Sequence, residues 1–245
     1  MNCALCLQEK ILCDSHIYPE FFYKKVYEEN HIFYGFRNDP EVRPKLHRKG
    51  VYEPLLCKDC EEHINKYEDY AAKVLFGGVQ KTIEQFPEKI VAGELLYDKF
   101  KLFELSLLWR SGVSKLPEFA NIKLARHEEI LRKMIYDDNP GEQYDYGCFI
   151  SFIPNVQELM NRMVYPLEPL NRKIWGFQIY RGIFGGLFWA FVVSSHNKEF
   201  PYPDIFISKS GVLQVFKAPP VANDFLYDLG KDMASSVAKV IKRNA

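Results

Sequence analysis

Cys3-Ala-Leu-Cys6 and Cys57-Lys-Asp-Cys60 are two Cys-x-x-Cys pairs in one chain, and His16 lies between them in the stretch CDSHIYPEFFY. Each pair sets two thiolates on one side of a tight turn. Two pairs close a tetrahedral four-sulfur site, which suits zinc and leaves no open position. A thioredoxin-like redox centre needs only one pair, and an iron–sulfur cluster leaves the motif between the pairs unexplained. The second pair opens a helix, so Cys60 falls in the first turn, where the helix dipole and free N–H groups favour a thiolate. Knuckle, hairpin, knuckle and helix make a treble-clef-like order with structural zinc on Cys3, Cys6, Cys57 and Cys60. His16 has two readings here. It is a catalytic base beside the zinc, or a packed histidine that donates a ring N–H to a backbone carbonyl and lies under Phe21 or Phe22. Cys13 and Cys148 are left over and read as small buried residues.

These residues need elements to hold them. Ile64, Tyr67, Ala71 and Leu75 form one stripe of a helix that ends before Gly77-Gly78. A second helix is predicted over about 98–111, opening on an Asp cap, and a third over about 125–137 with Ile130, Leu131, Met134 and Ile135 as its buried face. From Gly147 the period changes to strands: CFISFI, KIWGFQIYRG, GLFWAFVVSS and DIFISKSGVLQVFKA, with SKSG as a hairpin turn. A closing helix is predicted over 221–242, after a double proline. The class is α+β. A zinc module over 1–76 precedes an α+β domain over 77–245, helical through 95–140 and mainly strands through 145–218 as an antiparallel sheet.

Composition narrows the partners. With 245 residues, 32 Lys and Arg against 32 Asp and Glu give no net charge, which argues against wholesale electrostatic wrapping of nucleic acid. A local patch remains in RPKLHRK: Arg43, Lys45, His47, Arg48 and Lys49 stand together without an acid and form the candidate nucleic-acid contact. Its surround is acidic, ten Lys and Arg against thirteen Asp and Glu over residues 1–70, so such binding would be local and salt-sensitive. Six cysteines, four in tight pairs, fit metal binding in a reducing compartment. Met1 leads straight into the first pair, which reads as no secretory leader, and GIFGGLFWAFVV (182–193) is too short for a bilayer and reads as buried strand. The expected location is cytoplasmic, with no membrane partner. The C-terminal half carries no phosphate loop or nucleophile elbow, and its sheet is left as core and as a candidate surface for a protein partner or a second copy.

The run CALC…DSHIYPEFFY…LLCKDCEEHINKYE resembles the HNH endonucleases, whose ββα-metal fold often stands on a two-knuckle zinc site. A narrower resemblance is to a bacterial branch with a Ser-His-Ile-x-Pro motif, and it extends through LFELSLLWRSGVSKLPEF, HEEILRKM and NPGE. The nuclease likeness covers about residues 1–75 and the narrower one most of the chain. The resemblance implies that His16 is the general base of phosphodiester hydrolysis, acting on nucleic acid, DNA before RNA, in processing or in defence against foreign DNA. It also implies a divalent cation, magnesium or manganese. The chain departs from the family pattern at three places. Ser15 stands where an Asp or His holds the cation, Glu61 where a histidine follows the last knuckle, and YEPLLC lacks the usual Asn. Glu61 is an oxygen ligand in that role, and Glu68, Asp14 or Asn65 would make up the loss, Glu61, Asn65 and Glu68 sharing one helix face. The rival to the enzyme is a catalytically inactive zinc module that binds nucleic acid or protein.

Overall fold

The computed structural model describes residues 1–24, 26–27, 32–35, 45–48, 50–152, 160–161, 163–194 and 200–217; for 32–35 and 45–48 it describes the backbone. The predicted closing helix lies outside the described residues. Strands β1 (Leu12–His16), β2 (Ile32–Gly35), β3 (Lys45–Arg48) and β4 (Tyr52–Cys57) lead into helix α1 (Lys58–Phe76). β1 and β4 pair antiparallel, with Leu12 opposite Cys57 at one end and His16 opposite Tyr52 at the other, and β2 pairs with β3 between them. Helix α1 buries Cys60, Ile64, Tyr67, Tyr70, Ala71 and Val74, so the sequence stripe is recovered with Val74 in the core and Leu75 half-buried.

The chain then makes a hairpin of β5 (Thr82–Gln85) and β6 (Lys89–Gly93), followed by α2 (Tyr97–Val113) and α3 (Arg126–Tyr136). The expected Asp cap of α2 is corrected: Leu96 is the cap residue, and Asp98 lies in the first turn. Every residue of α2 from Phe100 to Ser111 is buried, its apolar residues spread over all sides and Lys101, Glu104 and Arg110 buried among them. The face of α3 is turned relative to the sequence reading. His127, Leu131 and Ile135 are buried at i, i+4 and i+8, while Ile130 is exposed, because α3 packs on α2 by the ridge of four-residue spacing.

Strands β7 (Cys148–Phe152), β8 (Tyr165–Pro169), β9 (Gln178–Phe184), β10 (Leu187–Val193) and β11 (Leu213–Lys217) join β5 and β6 in one seven-stranded sheet of order β5-β6-β11-β7-β10-β9-β8. The sheet is mixed rather than antiparallel, because β11 runs parallel to β7 while every other pairing is antiparallel. The turn read in SKSG exists, with Gly211 N–H donating to the Ser208 carbonyl at 2.9 Å, but no strand precedes it; a short 3-10 turn, Pro203–Ile205, stands there, and β11 finds its partners in β6 and β7. GIFGGLFWAFVV is bent into the β9–β10 hairpin at Gly185-Gly186 instead of forming one strand. Gly185 has φ +64, and a Cβ there would lie 2.6 Å from the Phe22 ring, so the turn needs glycine for its conformation and for its contact.

Period-two alternation divides the sheet. Trp189, Phe191 and Val193 belong to the core cluster under α2, whereas Phe188, Ala190 and Val192 belong to a second cluster with Phe200 and Phe206 on the other face. The first cluster also contains Ile17, Tyr18, Phe22 and Ile64, so one apolar core crosses the 76/77 division of the sequence. Among the described residues no helix is long and apolar enough to cross a membrane.

Candidate functional site

The four cysteines meet where β4 passes into α1. Their sulfur atoms all lie within 4.8 Å of one another, and Cys6 Sγ is 3.9 Å from Cys57 Sγ. Zinc–thiolate bonds of about 2.3 Å in a tetrahedron require sulfur separations of about 3.8 Å, while a disulfide would require about 2.05 Å. The set therefore fits a metal ion such as zinc. The turn that carries the first pair is closed by Leu7 N–H donating to the Cys3 carbonyl and Cys3 N–H to the Gln8 carbonyl, with Leu7 at φ +61. Cys57 N–H donates to Cys3 Sγ at 3.3 Å. Burial pushes the Cys3 thiol up, but backbone bonds from Cys6, Cys57 and Leu5 outweigh it and bring it to about 7. Burial and the neighbouring thiols push Cys60 well up. Two contacts from outside brace the turns: Lys10 pairs with Asp59 at 2.7 Å, and Arg132 of α3 donates to the Leu5 carbonyl at 2.6 Å.

The far end of β1 holds a different group. His16 is half-buried, edge-on to Tyr52 with ring centroids 5.9 Å apart. Gly50 at φ +80 lies against both the His16 and Tyr23 rings, where a Cβ would come within 3.1 Å of each. The residues after His16 turn away into the core. Tyr18 stacks on Phe184 at 4.8 Å, and its hydroxyl accepts from Ser111 Oγ at 3.1 Å and from the Leu167 N–H at 2.8 Å. Phe22 packs on Phe184 and Trp189 at 5.0 and 5.9 Å. His16 therefore stands at the edge of a plug, YPEFF, that ties the cysteine-bearing segment to α2 and the large sheet.

Beside His16 lies Arg110 of α2, which sequence reasoning missed. It is 2 % exposed; its Nη1 donates to the His16 carbonyl at 2.8 Å and its Nη2 meets Glu68 Oε1 at 2.6 Å. Burial pushes the Glu68 carboxyl up, Arg110 draws it down, and the charges of Glu61 and His16 also reach it, with opposite signs. Glu61 Oε1 is buried and has no hydrogen-bond partner among the described residues. Asn65, the third member of that helix face, is exposed. The structure thus brings His16, Glu61 and Glu68 to one region, with Arg110 as the cation that Glu68 engages. Among the described residues the four cysteines form the one cluster of three or more candidate metal ligands.

Ser15 is occupied otherwise. It is 1 % exposed, accepts from Leu56 N–H at 2.9 Å and donates to the Cys13 carbonyl at 3.3 Å, at the irregularity in the β1–β4 register between Cys13 and Asp14. A carboxylate at 15 would bury charge and lose that donor. Asp14 is exposed. Of the basic stretch, Lys45, His47 and Arg48 lie on β3, described by its backbone, and Arg43 and Lys49 lie outside the described residues. His63 packs between α1 and α3, its Nε2 2.9 Å from the Ile135 carbonyl and 3.0 Å from the Tyr67 hydroxyl.

A second buried polar group lies nearer the N-terminus of α2. Glu104 is fully buried with neither carboxylate oxygen hydrogen-bonded among the described residues, and burial raises it to about 8 against the pull of Lys101. Lys101 donates to the Gln143 and Tyr146 carbonyls at 3.3 and 3.2 Å. The signal for both groups was present in LFELSLLWRSG: charged residues inside a wholly apolar helix must be buried and need partners. Compared with protein-family models, with curated proteins and with solved structures, the chain finds no match in any of the three.

Proposed function

We propose that the chain is a metal-dependent endonuclease of HNH type, with structural zinc in a treble-clef-like site on Cys3, Cys6, Cys57 and Cys60, His16 as general base and Glu61 as a ligand of a divalent cation, magnesium or manganese. The observation that carries this reading is Glu61 Oε1, a buried carboxylate oxygen without a hydrogen-bond partner among the described residues, in a region that His16 shares. A buried acceptor left unmatched costs free energy, and a cation removes that cost. The order β1, β4, α1, with His16 at a strand end and Glu61 one residue past the last cysteine, supports the same reading.

In this mechanism the His16 ring takes a proton from water as the water oxygen bonds to phosphorus, the opposite P–O ester bond breaks, and solvent protonates the departing oxygen. A bound divalent cation supplies charge neutralisation at the phosphate and leaving oxygen. Arg110 acts as a positioning residue: its bond to the His16 carbonyl fixes the strand end on which the base is mounted. The basic stretch from Arg43 to Lys49 would meet the flanking phosphates. The setting in nucleic-acid processing or defence follows from the resemblance.

A second reading, a non-catalytic zinc module that binds nucleic acid or protein, draws on Glu68 being engaged by Arg110 and Ser15 being spent in the strand pair. Cleavage of plasmid and RNA with magnesium, with manganese and in cation-free buffer separates the two. On the nuclease reading, His16→Ala lowers the rate by about 10²–10⁴ with zinc content and melting temperature kept. Glu61→Ala lowers it similarly and is partly relieved by excess manganese. Wild-type protein that cuts nothing with either cation, together with His16→Ala that only lowers the melting temperature, would establish the binding module instead.

A further inference from the structure

Of the three tryptophans, Trp109 and Trp189 are buried in the core, and Trp175 is 51 % exposed. It stands at the tip of the β8–β9 hairpin, where Ile174 and Phe177 pair across a two-residue turn of Trp175 (φ +51) and Gly176 (φ +88). Positive φ at both central positions suits Asn-Gly, and a tryptophan in the first of them is strained. Strain at a loop tip points to a use for the side chain.

The surroundings indicate which use. The indole lies edge-on to Phe200 at 5.5 Å and tilted against Tyr202 at 5.3 Å. Phe200 is itself buried against Phe177 and Phe206, at 5.3 and 5.1 Å, so the pair stands on a fixed aromatic base. Tyr202 is 56 % exposed. Arg172 and Lys173, both exposed, enter the same turn, and the exposed acid Asp204 follows Tyr202, so among the described residues here the positive charge lies on the hairpin arm. Partly exposed rings beside cations are the chemistry that receives unpaired nucleobases: every base offers a π face, and the phosphates between bases meet guanidinium and ammonium. A duplex presents no free base face, and an apolar protein segment would leave Arg172 and Lys173 without a role.

We propose that Trp175 and Tyr202 form a stacking platform for single-stranded nucleic acid, with Arg172 and Lys173 on its phosphates. The proposal shares only its class of ligand with the nuclease reading and makes no use of His16. Because the other two tryptophans are buried beyond a ligand's reach, the change in indole fluorescence of the full, zinc-loaded chain on titration reports the platform over their constant emission. Titration with oligothymidylate or oligouridylate of about 15 nucleotides should quench it, and a duplex of equal length should bind more weakly. Trp175→Asn should weaken binding of a labelled single strand ~5- to 100-fold while the melting temperature does not fall, since asparagine suits the turn. Trp175→Phe should keep most of the affinity, and Arg172→Ser with Lys173→Ser should flatten its salt dependence. Absence of single-strand binding, equal binding by Trp175→Asn, or preference for the duplex overturns the proposal. His16→Ala should bind as wild type does. Binding without cleavage would therefore count against the nuclease reading alone, and cleavage of duplex without single-strand binding against the platform alone.

Discussion

At one end of the β1–β4 pair Leu12 faces Cys57, and four sulfurs crowd within 4.8 Å; at the other His16 faces Tyr52, and its carbonyl accepts from Arg110; Glu61, one residue past the last cysteine, carries a buried carboxylate oxygen with no hydrogen-bond partner among the described residues. The cysteine end is closed. One tetrahedral ion would satisfy all its donors, and their positions follow from two tight turns and a strand–helix junction. The histidine end is assembled from β1, α1 and, through Arg110, from α2, 42 residues beyond the Glu68 it pairs with. A structural site gains from using every valence, whereas a site for chemistry must leave something unmatched for a substrate or cation to complete.

That contrast predicts the largest effect at the closed end. Removing the metal, or Cys57→Ser, should remove a binding free energy of about 10 kcal/mol or more that is also folding free energy. Residues 1–76 should then lose their structure, and the shared core should carry the loss into the rest of the chain. Elemental analysis and circular dichroism check this; retained zinc and an unchanged melting temperature in Cys57→Ser would remove the metal site from consideration.

The open end should respond less and through its ion pair. Arg110→Met leaves Glu68 buried without its cation and should cost about 3–5 kcal/mol in urea unfolding, whereas Arg110→Met with Glu68→Leu should recover most of that loss. A double variant no better than the single one would mean that Arg110 stabilises by another contact, the His16 carbonyl being the first to test.

The smallest effect separates stability from chemistry on α2 itself. Burial raises Glu104 to about 8, while Lys101, lowered by its own burial, opposes at higher pH. Between the ordinary carboxyl range and about 8 the unfolded chain has released a proton that the folded chain still holds, so stability falls as pH rises through that window and levels off above it. Glu104→Gln should remove this dependence and gain roughly 1–3 kcal/mol relative to wild type between about pH 5 and pH 8. Cleavage at fixed pH should be unmoved, because Glu104 touches neither His16 nor Glu61. Parallel pH slopes in the two proteins would count against the buried carboxyl as their source.

Local signals were legible along the chain to the extent that they were local. Cys57 and Cys60 mark the start of α1 because a Cys-x-x-Cys turn and a helix N-terminus are both short-range arrangements, and the apolar stripe from Ile64 onward follows from 3.6-residue periodicity. The hairpin of β5 and β6 was not legible, because every side chain of β5 is exposed at the sheet edge and no alternation marks it. The parallel placement of β11 beside β7 was not legible either, since SKSG gives a turn without saying which strand lies across it.

By itself the sequence determined the four cysteines that cluster and could hold a metal ion, the helix that carries Cys60, Glu61 and Glu68, and the α+β class, all of which rest on spacing and period. Tertiary structure alone decided which cation Glu68 meets, that Ser15 is consumed within the strand pair, that the YPEFF segment plugs into the core beneath α2 and the large sheet, and that Trp175 is 51 % exposed at a hairpin tip. The physical reason is the same in each case. A buried charge or an exposed ring is defined by what approaches from distant parts of the chain, and α2 with its Arg110 reaches His16 only after the core beneath them has closed.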